Sequence, residues 1–273
     1  MKRNPKITIV SPCYNHGKYI GDMLGSVFEQ TFEDYEVIIV NDGSNDETVN
    51  ILNHINHSKV KVINSSHKGP SCARNIGIEE AQTDIIVNLD ADDKIAPTFL
   101  AKMYNVFLSQ ANLGIVTTET QFFGAKSGIF YLEPYSLAKM LKTNLILSTA
   151  LLRKSDWEKV GGYSDNFIYG LEDYDFWLSI IALGREVYRI PEPLIFYRKY
   201  QNPKDCRSER RKKSRKKSIM ATLTLFHRHQ KLYERCPEAM ANMILLKQKW
   251  EKENFVIREF KELYHGIRYR SQL

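Results

Sequence analysis

Three carboxylates follow directly after a short apolar run in the first third of the chain. Residues 85–89, Ile-Ile-Val-Asn-Leu, precede Asp90, Asp92 and Asp93. The run is too short to form a helix alone and is rich in β-branched residues, so we predict a buried strand. Carboxylates this close repel one another, and a divalent cation bound to phosphate oxygens would relieve that repulsion. An acidic turn that caps the next helix is an equally simple interpretation.

Apolar segments of alternating type around this cluster predict a parallel sheet with helices on its faces. The predicted strands are residues 6–10, 37–40, 60–63 and 85–89, and the predicted helices are residues 19–30, 46–55, 70–81 and 97–108. Such alternation is typical of an α/β fold, which binds ligands at the carboxyl ends of its strands. Tyr14 and Asn15 follow the first strand, and Asp42 follows the second. We therefore expect these residues to meet the acidic cluster at one edge of the sheet and to bind a nucleotide there.

The second half of the chain is less regular but contains one well-defined helix. The predicted short strands are residues 114–118, 121–123, 129–132, 186–190 and 194–197. Residues 171–183 have apolar residues at helical spacing, with Glu172, Asp173 and Asp175 in the first turn. Acidic residues at that position are stabilised by the positive end of the helix dipole, so their presence has a purely structural interpretation as well.

Basic residues are concentrated in the last quarter of the chain. Residues 198–273 carry 21 Lys and Arg against 8 Asp and Glu, whereas residues 1–197 carry 18 against 24. Helical periodicity resumes after the basic run, at residues 219–228 and 239–264. We therefore predict a body at 1–203 and a basic helical extension at 204–273. An anionic membrane surface is the expected partner of residues 204–217, whereas nucleic acid is not favoured because no aromatic residue interleaves the basic run.

Composition leads us to expect a cytoplasmic protein. No apolar run reaches the roughly 18–20 residues of a membrane-spanning helix, and Met1 is followed closely by the first predicted strand without an apolar leader. The cysteines lack the spacing of a metal site and indicate a reducing compartment; they are Cys13, Cys72, Cys206 and Cys236. Binding of the basic extension to lipid would make the protein peripheral at the inner face of the membrane.

Five short motifs resemble, in order and spacing, those of the family 2 glycosyltransferases. They are residues 9–15 (IVSPCYN), 37–44 (VIIVNDGS), 69–77 (GPSCARNIG), 89–93 (LDADD) and 170–178 (GLEDYDFWL). Members of this family are inverting sugar transferases of the GT-A fold, a mostly parallel nucleotide-binding sheet flanked by helices. The resemblance covers roughly residues 5–200 and implies a nucleotide-sugar-binding half at 1–110 and an acceptor half at 111–203.

The resemblance implies a metal-dependent enzyme of the hexosyl- or N-acetylhexosaminyltransferase type. Its donor would be a nucleotide-diphosphate sugar, a UDP-sugar above all, and its acceptor a hydroxyl of a glycan or lipid-linked molecule in cell-surface polysaccharide synthesis. Two other interpretations stay open. One is a nucleotidyltransferase, although only Gly17 and Lys18 hint at the basic, Gly-rich loop of such enzymes. The other is an inactive GT-A-like module that binds glycans.

The donor-binding residues implied by the resemblance lie in the first three motifs and near residue 200. Asp42 would accept hydrogen bonds from the base or ribose, and Tyr14, within the loop formed with Pro12 and Asn15, would stack on the base. Arg74 would pair with phosphate, since a guanidinium binds phosphate bidentately, or would form a salt bridge with one of the acids of the body. Arg198 would close over the diphosphate.

The acidic motifs would supply the metal site and the base. The resemblance implies that Asp92 binds Mn²⁺ or Mg²⁺ directly and that Asp90 reaches the metal through water or binds the ribose; Asp93 either shares the metal or caps the next helix. Tyr200 stands where the family often has a histidine ligand. An inverting reaction needs a base opposite the leaving group, and the resemblance assigns Asp173 to it with Glu172 as orienting partner. The seven histidines show no ligand spacing, and His227 and His229 are expected at the surface.

Overall fold

A computed structural model describes residues 5–167, 170–202 and 215–252, and in these ranges the protein is a mixed α/β fold. The strands are β1 Ile7–Cys13, β2 Tyr35–Asp42, β3 Val60–Ser65, β4 Ile85–Asn88, β5 Lys94–Ile95, β6 Leu113–Gly124, β7 Gly128–Phe130, β8 Leu151–Arg153 and β9 Glu186–Lys199. The helices are α1 Gly17–Phe28, α2 Asp46–Asn53, α3 Pro70–Glu80, α4 Phe99–Ser109, α5 Leu137–Met140, α6 Lys154–Val160, α7 Glu172–Ala182, α8 Arg215–Arg228, α9 Gln230–Tyr233 and α10 at 237–252.

All the described strands belong to one sheet. Its order is β3-β2-β1-β4-β8-β6-β9-β5, with β7 paired to β6. The first four strands in that order are parallel, as the alternation of strand and helix predicts, whereas β8 runs antiparallel to both of its neighbours. Long parallel strands β6 and β9 continue the sheet beyond β8. The predicted α/β class, with a mostly parallel sheet in the first half of the chain and helices on its faces, is therefore confirmed.

Apolar residues on the two faces of the sheet form two cores. One core packs α1 and α4 against the sheet through residues such as Met23 and Phe107. The other combines Ala73 of α3 with Phe176 and Trp177 of α7 and with Leu225, Phe226, Leu232 and Tyr233 of the C-terminal helices. Residues 215–252 are largely helical, and several of them contribute to the core of the body; the predicted basic extension stays a prediction. The division at residue 203 stays a prediction, and residues 203–214 lie outside the described ranges.

Four of the predicted short strands belong to only two long strands in the structure. Residues 114–118 and 121–123 belong to β6, and residues 186–190 and 194–197 belong to β9. Proline has no N–H to donate to a neighbouring strand. The register of the two strands accordingly shifts where Ile190 and Pro193 pair with Thr118 and Glu119. The strand pairing therefore continues past Pro191 and Pro193, which the sequence pattern treats as breaks.

Among the described residues, no helix combines the length and the apolar character needed to cross a bilayer.

Candidate active site

The carboxyl ends of β1, β2 and β4 meet at one edge of the sheet. Val10 of β1 pairs with both Ile38 of β2 and Asn88 of β4, so the three strands end side by side. The loops that follow them carry Tyr14 and Asn15, Asp42, and the acidic cluster. The convergence expected from the sequence is therefore observed.

Arg74 and Ser148 hold the carboxylate of Asp90. The Arg74 Nη2 donates to Asp90 Oδ1 and the Ser148 hydroxyl to Oδ2, each over 2.8 Å. Burial alone would raise the pKa of Asp90, but the Arg74 charge and these two hydrogen bonds hold it below its ordinary value. Asp90 is therefore an ionised and firmly oriented carboxylate.

Arg74 also reaches the motif at the start of α7. Its side chain is only 4% exposed, and its Nη1 lies 3.7 Å from Glu172 Oε1. The guanidinium sits 5.5 Å from the ring centroid of Tyr163, whose hydroxyl accepts a hydrogen bond from Asn88 in β4. One buried cation thus connects the acidic cluster to the Glu172–Asp173 pair. The expectation that Arg74 pairs with phosphate stays a prediction, and among the described residues its Nε and Nη1 have no hydrogen-bond partner.

Asp92 and Asp93 carry negative charge in a poorly hydrated pocket. The Tyr200 hydroxyl donates to Asp92 Oδ2, and His16 Nδ1 lies 3.9 Å from Asp92 Oδ1. Burial raises the pKa of Asp92, and although the nearby His16 lowers it, the Asp90 charge adds to the net upward shift. The pKa of Asp93 is raised further, by burial and by the Asp92 and Asp90 charges. Nearby positive charge therefore does not compensate fully for the carboxylates of the cluster.

Asp93 does not cap the following helix. Its Oδ1 accepts the backbone N–H of Arg198 over 2.8 Å, while α4 begins at Phe99 with Thr98 at the N-cap. The capping interpretation is therefore wrong: the N-cap lies five positions after Asp93, whose side chain instead fixes the end of β9.

The donor set of this cluster fits a hard divalent cation that also binds a diphosphate. Carboxylate oxygens are the ligands that Mg²⁺ and Mn²⁺ prefer. Burial and neighbouring acids raise the pKa values of Asp92 and Asp93, and a bound cation would stabilise the charged forms of both. Within the described ranges no three His, Cys, Asp or Glu side chains come close enough to hold a metal by themselves. A cation there would thus need oxygens from a ligand, and Asp92 is better placed than Asp90, both of whose oxygens are engaged.

The loops on the donor side are tied together by Asp42 and Asn15. Asp42 is 3% exposed, and its two carboxylate oxygens accept the backbone N–H groups of Lys68 and Gly69 over 2.8 and 2.9 Å. Asn15 Oδ1 accepts the N–H of Asn45 over 2.7 Å. Pro12 is half-buried within β1 beside Val40. These three residues shape the loop edge, and any contact with a nucleotide stays a prediction.

Tyr14 presents an aromatic surface at this edge. Its ring is exposed and stacks on His67 at a centroid distance of 4.1 Å. The His67 ring nitrogen Nδ1 in turn lies 3.1 Å from Asp42 Oδ2. The sequence did not indicate His67, because no spacing relates it to Tyr14 or Asp42.

Arg198 is engaged beside the acidic cluster. Its Nε donates to the backbone oxygen of Asp92 over 2.7 Å, and its Nη2 donates to Asp22 over 2.6 Å. The guanidinium also lies 4.5 and 4.3 Å from the ring centroids of Tyr19 and Phe123. Arg198 therefore holds the loop of the acidic cluster against α1, and closing over a diphosphate would require it to leave these partners.

The first turn of α7 carries Asp173 next to Glu172, which approaches Arg74. Helix α7 follows Gly170 and Leu171, which both have positive φ angles, of 98° and 73°. Asp173 Oδ1 accepts its neighbour's backbone N–H, and Oδ2 accepts the Asn144 amide over 3.3 Å. Asn144 and Ser148 were missed by the sequence reasoning. Their only signal is that polar side chains interrupt the apolar stretch of residues 144–153.

An α/β sheet with carboxylates at the ends of its parallel strands and a Glu-Asp pair facing them defines the GT-A class of nucleotide-sugar-binding folds. A family model described as glycosyl transferase family 2 matches residues 8–175, and the chain belongs to that family. The resemblance drawn from the five motifs is confirmed.

Known proteins similar to the chain include polysaccharide synthases and solved glycosyltransferases. Chondroitin synthase of Escherichia coli is 29% identical over 190 residues, 67% of this chain and 28% of that protein. The crystal structure of S. aureus TarS 1-349 in complex with UDP-GlcNAc has a TM-score of 0.66 at 17% identity, covering 88% of this chain and 71% of that one. The mannosyltransferase PcManGT from Pyrobaculum calidifontis, in complex with GDP-Man and Mn²⁺, has a TM-score of 0.63 at 17% identity, covering 90% and 74%. The chain thus spans under a third of the synthase and shares its fold with the two enzymes.

Proposed function

We propose that the protein is a metal-dependent, inverting glycosyltransferase that moves a sugar from a nucleotide-diphosphate sugar to an acceptor hydroxyl. The observation that carries the proposal is the position of Arg74, which contacts Asp90 at 2.8 Å and approaches Glu172 at 3.7 Å. A leaving diphosphate at the acidic cluster and a base at the start of α7 would then lie on two sides of one guanidinium. An inverting displacement needs that arrangement, because the base must act opposite the leaving group.

The roles follow from the environment of each side chain. Asp173 is partly exposed and hydrogen-bonded to Asn144, so its carboxylate is oriented and accessible for taking the proton of the acceptor hydroxyl. Glu172 is buried beside Arg74 and orients the pair. Asp92, together with the neighbouring Asp90, would hold Mn²⁺ or Mg²⁺. The metal, when bound, supplies positive charge that stabilises the departing nucleotide diphosphate.

The donor proposed first is a UDP-sugar, most simply of the N-acetylhexosamine type. It is supported by the UDP-GlcNAc complex of TarS and the similarity to chondroitin synthase; the GDP-Man complex of PcManGT supports a GDP-sugar as the second choice. Tyr14, Pro12, Asn15 and Asp42 form the edge where the nucleoside would lie. A glycan or lipid-linked acceptor of cell-surface polysaccharide, reached from the cytoplasmic side, completes the proposal.

The test identifies the product that the reaction releases and measures how two substitutions change kcat and UDP binding. With Mn²⁺ and a panel of nucleotide sugars, we expect release of nucleoside diphosphate; release of pyrophosphate would indicate a nucleotidyltransferase instead. Asp173→Asn and Asp92→Asn are expected to lower kcat by about a hundredfold or more, because general-base catalysis typically contributes that much and the metal site is lost. Of the two variants, only Asp173→Asn is expected to keep UDP binding in the presence of Mn²⁺.

Asp84→Asn is the matched control. Asp84 is exposed and precedes β4, at the opposite end of the strand from the acidic cluster. It should leave both kcat and UDP binding unchanged. Wild-type transfer rates in Asp173→Asn and Asp92→Asn would refute the assigned site, and binding of glycans without any transfer would favour an inactive module.

A further inference from the structure

A buried ionic contact joins the C-terminal helices to the helix that carries Asp173. Asp175 of α7 is 1% exposed, and its Oδ1 accepts hydrogen bonds from Arg228 Nε and His229 Nε2, each over 2.8 Å. Arg228 is the last residue of α8, and His229 lies between α8 and α9. The expectation that His229 is a surface residue is wrong: it is nearly as buried as Asp175, because the turn between α8 and α9 faces α7.

Neighbouring residues extend the same contact on both sides of Asp173. The Tyr174 hydroxyl donates to the backbone oxygen of Met140, and the Tyr233 hydroxyl of α9 donates to that of Leu141 over 3.0 Å. The segment after Leu141 contains Asn144, whose amide donates to Asp173 itself. The C-terminal helices therefore contact both the helix that bears Asp173 and the segment that supplies its hydrogen-bond donor.

The buried carboxylate of Asp175 depends on its hydrogen-bond donors. A buried carboxylate is costly unless it is paired and hydrogen-bonded. Asp175 obtains both donors from the C-terminal segment, and for His229 to donate to it, its Nε2 must carry a proton. Loss of either donor leaves the Asp175 carboxylate with one hydrogen bond fewer beside the apolar side chains of Phe176 and Trp177, and we expect the first turn of α7 to shift in response.

We propose that His229 and Arg228 are positioning residues that act through Asp175 to keep Asp173 in its catalytic position. The inference rests on the proposed function of Asp173 as the base. Displacement of a reacting group by about 1 Å can cost up to a hundredfold in rate. The donor side is formed by the ends of β1, β2 and β4 and does not contact these residues, so a loss of positioning should lower kcat without weakening nucleotide binding.

The first experiment compares three variants of neighbouring histidines at a temperature well below unfolding. His229→Leu removes the donor, and His229→Gln keeps an N–H donor at nearly the same place. His227→Leu alters an exposed histidine two positions earlier, within α8. We expect kcat to fall about tenfold in His229→Leu, with the donor KM and the dissociation constant of UDP with Mn²⁺ changing less than twofold. His229→Gln should recover most of the rate, and His227→Leu should match the wild type.

A double-mutant cycle separates positioning from general destabilisation. If His229 acts through Asp173, His229→Leu should cost nothing further in an Asp173→Asn background, because residues that act as a unit are not additive. Arg228→Met, which alters a side chain 38% exposed, repeats the test if His229→Leu fails to fold. Wild-type kcat in both single variants, a full additional loss in the double variant, or parallel loss of UDP binding would overturn the inference.

The two proposals fail in different ways. Wild-type activity of Asp173→Asn alone would remove the base assignment and the inference that depends on it. Low activity of Asp173→Asn together with unchanged kcat in the His229 and Arg228 variants would leave the proposed function standing and remove only the positioning role.

Discussion

At the residue scale, Arg74 is the clearest test of how the site is held together. Its guanidinium is 4% exposed and lies between the carboxylates of Asp90 and Glu172. Arg74→Met would leave these acids without their shared cation, and removal of one partner of a buried ion pair typically costs about 3–5 kcal/mol. We expect urea unfolding to show a loss of that size, and Arg74→Lys to recover part of it, since an ammonium keeps the positive charge but lacks the planar geometry of the guanidinium.

The matched control is a cation in an exposed ion pair. Lys61 lies 2.7 Å from Glu80 at the surface, and pairs of this kind contribute little to stability. Lys61→Met should therefore leave the unfolding midpoint unchanged. If Arg74→Met were as stable as Lys61→Met, the role of Arg74 as the link between the two acidic motifs would be wrong.

Residue identities were predictable where they belong to local motifs, and their partners were not. The strand that ends at the acidic cluster follows from five consecutive residues, but Arg74 is 16 positions from Asp90 and 98 from Glu172. The sequence analysis accordingly left two partners for Arg74 open, phosphate and an acid of the body, because the residue type suits both and no local pattern indicates which carboxylate it meets. Tyr200 was found by its place in a motif, whereas its hydrogen bond to Asp92 depends on where β9 ends.

At the element scale, the close packing of α3 on the sheet requires the glycine at Gly77. A Cβ atom on Gly77 would lie 2.4 Å from Val10 Cγ1 and 3.2 Å from Val40 Cγ2. Gly77→Ala should force α3, which carries Arg74, away from β1 and destabilise the protein by about 1–3 kcal/mol, the usual cost of overpacking. Thermal or urea unfolding measures this loss, and kcat should fall with it because Arg74 moves.

The same substitution at Gly25 of α1 is expected to have the opposite effect on stability. It is exposed within the helix, and a Cβ atom at this position would meet nothing within 4 Å beyond the backbone of its own helix. Gly25→Ala should stabilise the protein by about 0.5–1 kcal/mol, since alanine favours a helix over glycine by that amount. Equal effects of the two substitutions would contradict the close packing of α3 on β1.

The regular elements of the first half follow from periodicity, whereas those of the second half depend on long-range pairing. Helices α2 and α3 match their predictions to within two residues, because their apolar faces and capping residues are local. Residues 144–153 contain only the three-residue strand β8, whose pairing with β4 and β6 is set by the rest of the sheet. His229 was misplaced for the same reason, since its partner Asp175 is 54 residues away.

At the scale of the whole molecule, the C-terminal segment combines two properties that its composition alone does not separate. The basic run predicted to meet an anionic surface precedes helices whose apolar residues belong to the core; these are Leu225, Phe226, Leu232 and Tyr233. Removing the whole extension would therefore test folding and membrane association at once. The two properties have to be tested by different changes.

Truncation after Asn202 tests the shared core. Fully burying a large apolar side chain contributes about 1.5–3 kcal/mol, so loss of the four core residues above would remove much of the roughly 5–15 kcal/mol by which a typical protein is stable. It would also uncover Asp175 and the core beside Trp177. We expect the truncated protein to aggregate or to unfold well below the wild type in a thermal scan. A cooperative transition at the wild-type temperature would show that the C-terminal helices are independent of the body.

Substitution of the basic run tests the membrane surface without disturbing the core. Arg210, Arg211, Lys212 and Lys213 lie outside the described ranges and are changed together to Gln. Each basic residue near an anionic leaflet contributes about 1 kcal/mol, so association with phosphatidylserine vesicles should fall at least about a hundredfold. The unfolding temperature and the transfer rate in solution should stay at wild-type values, and neutral phosphatidylcholine vesicles should bind neither protein. Unchanged binding to phosphatidylserine would remove the basic run as a membrane contact, whereas loss of folding would assign these residues to the structure of the body.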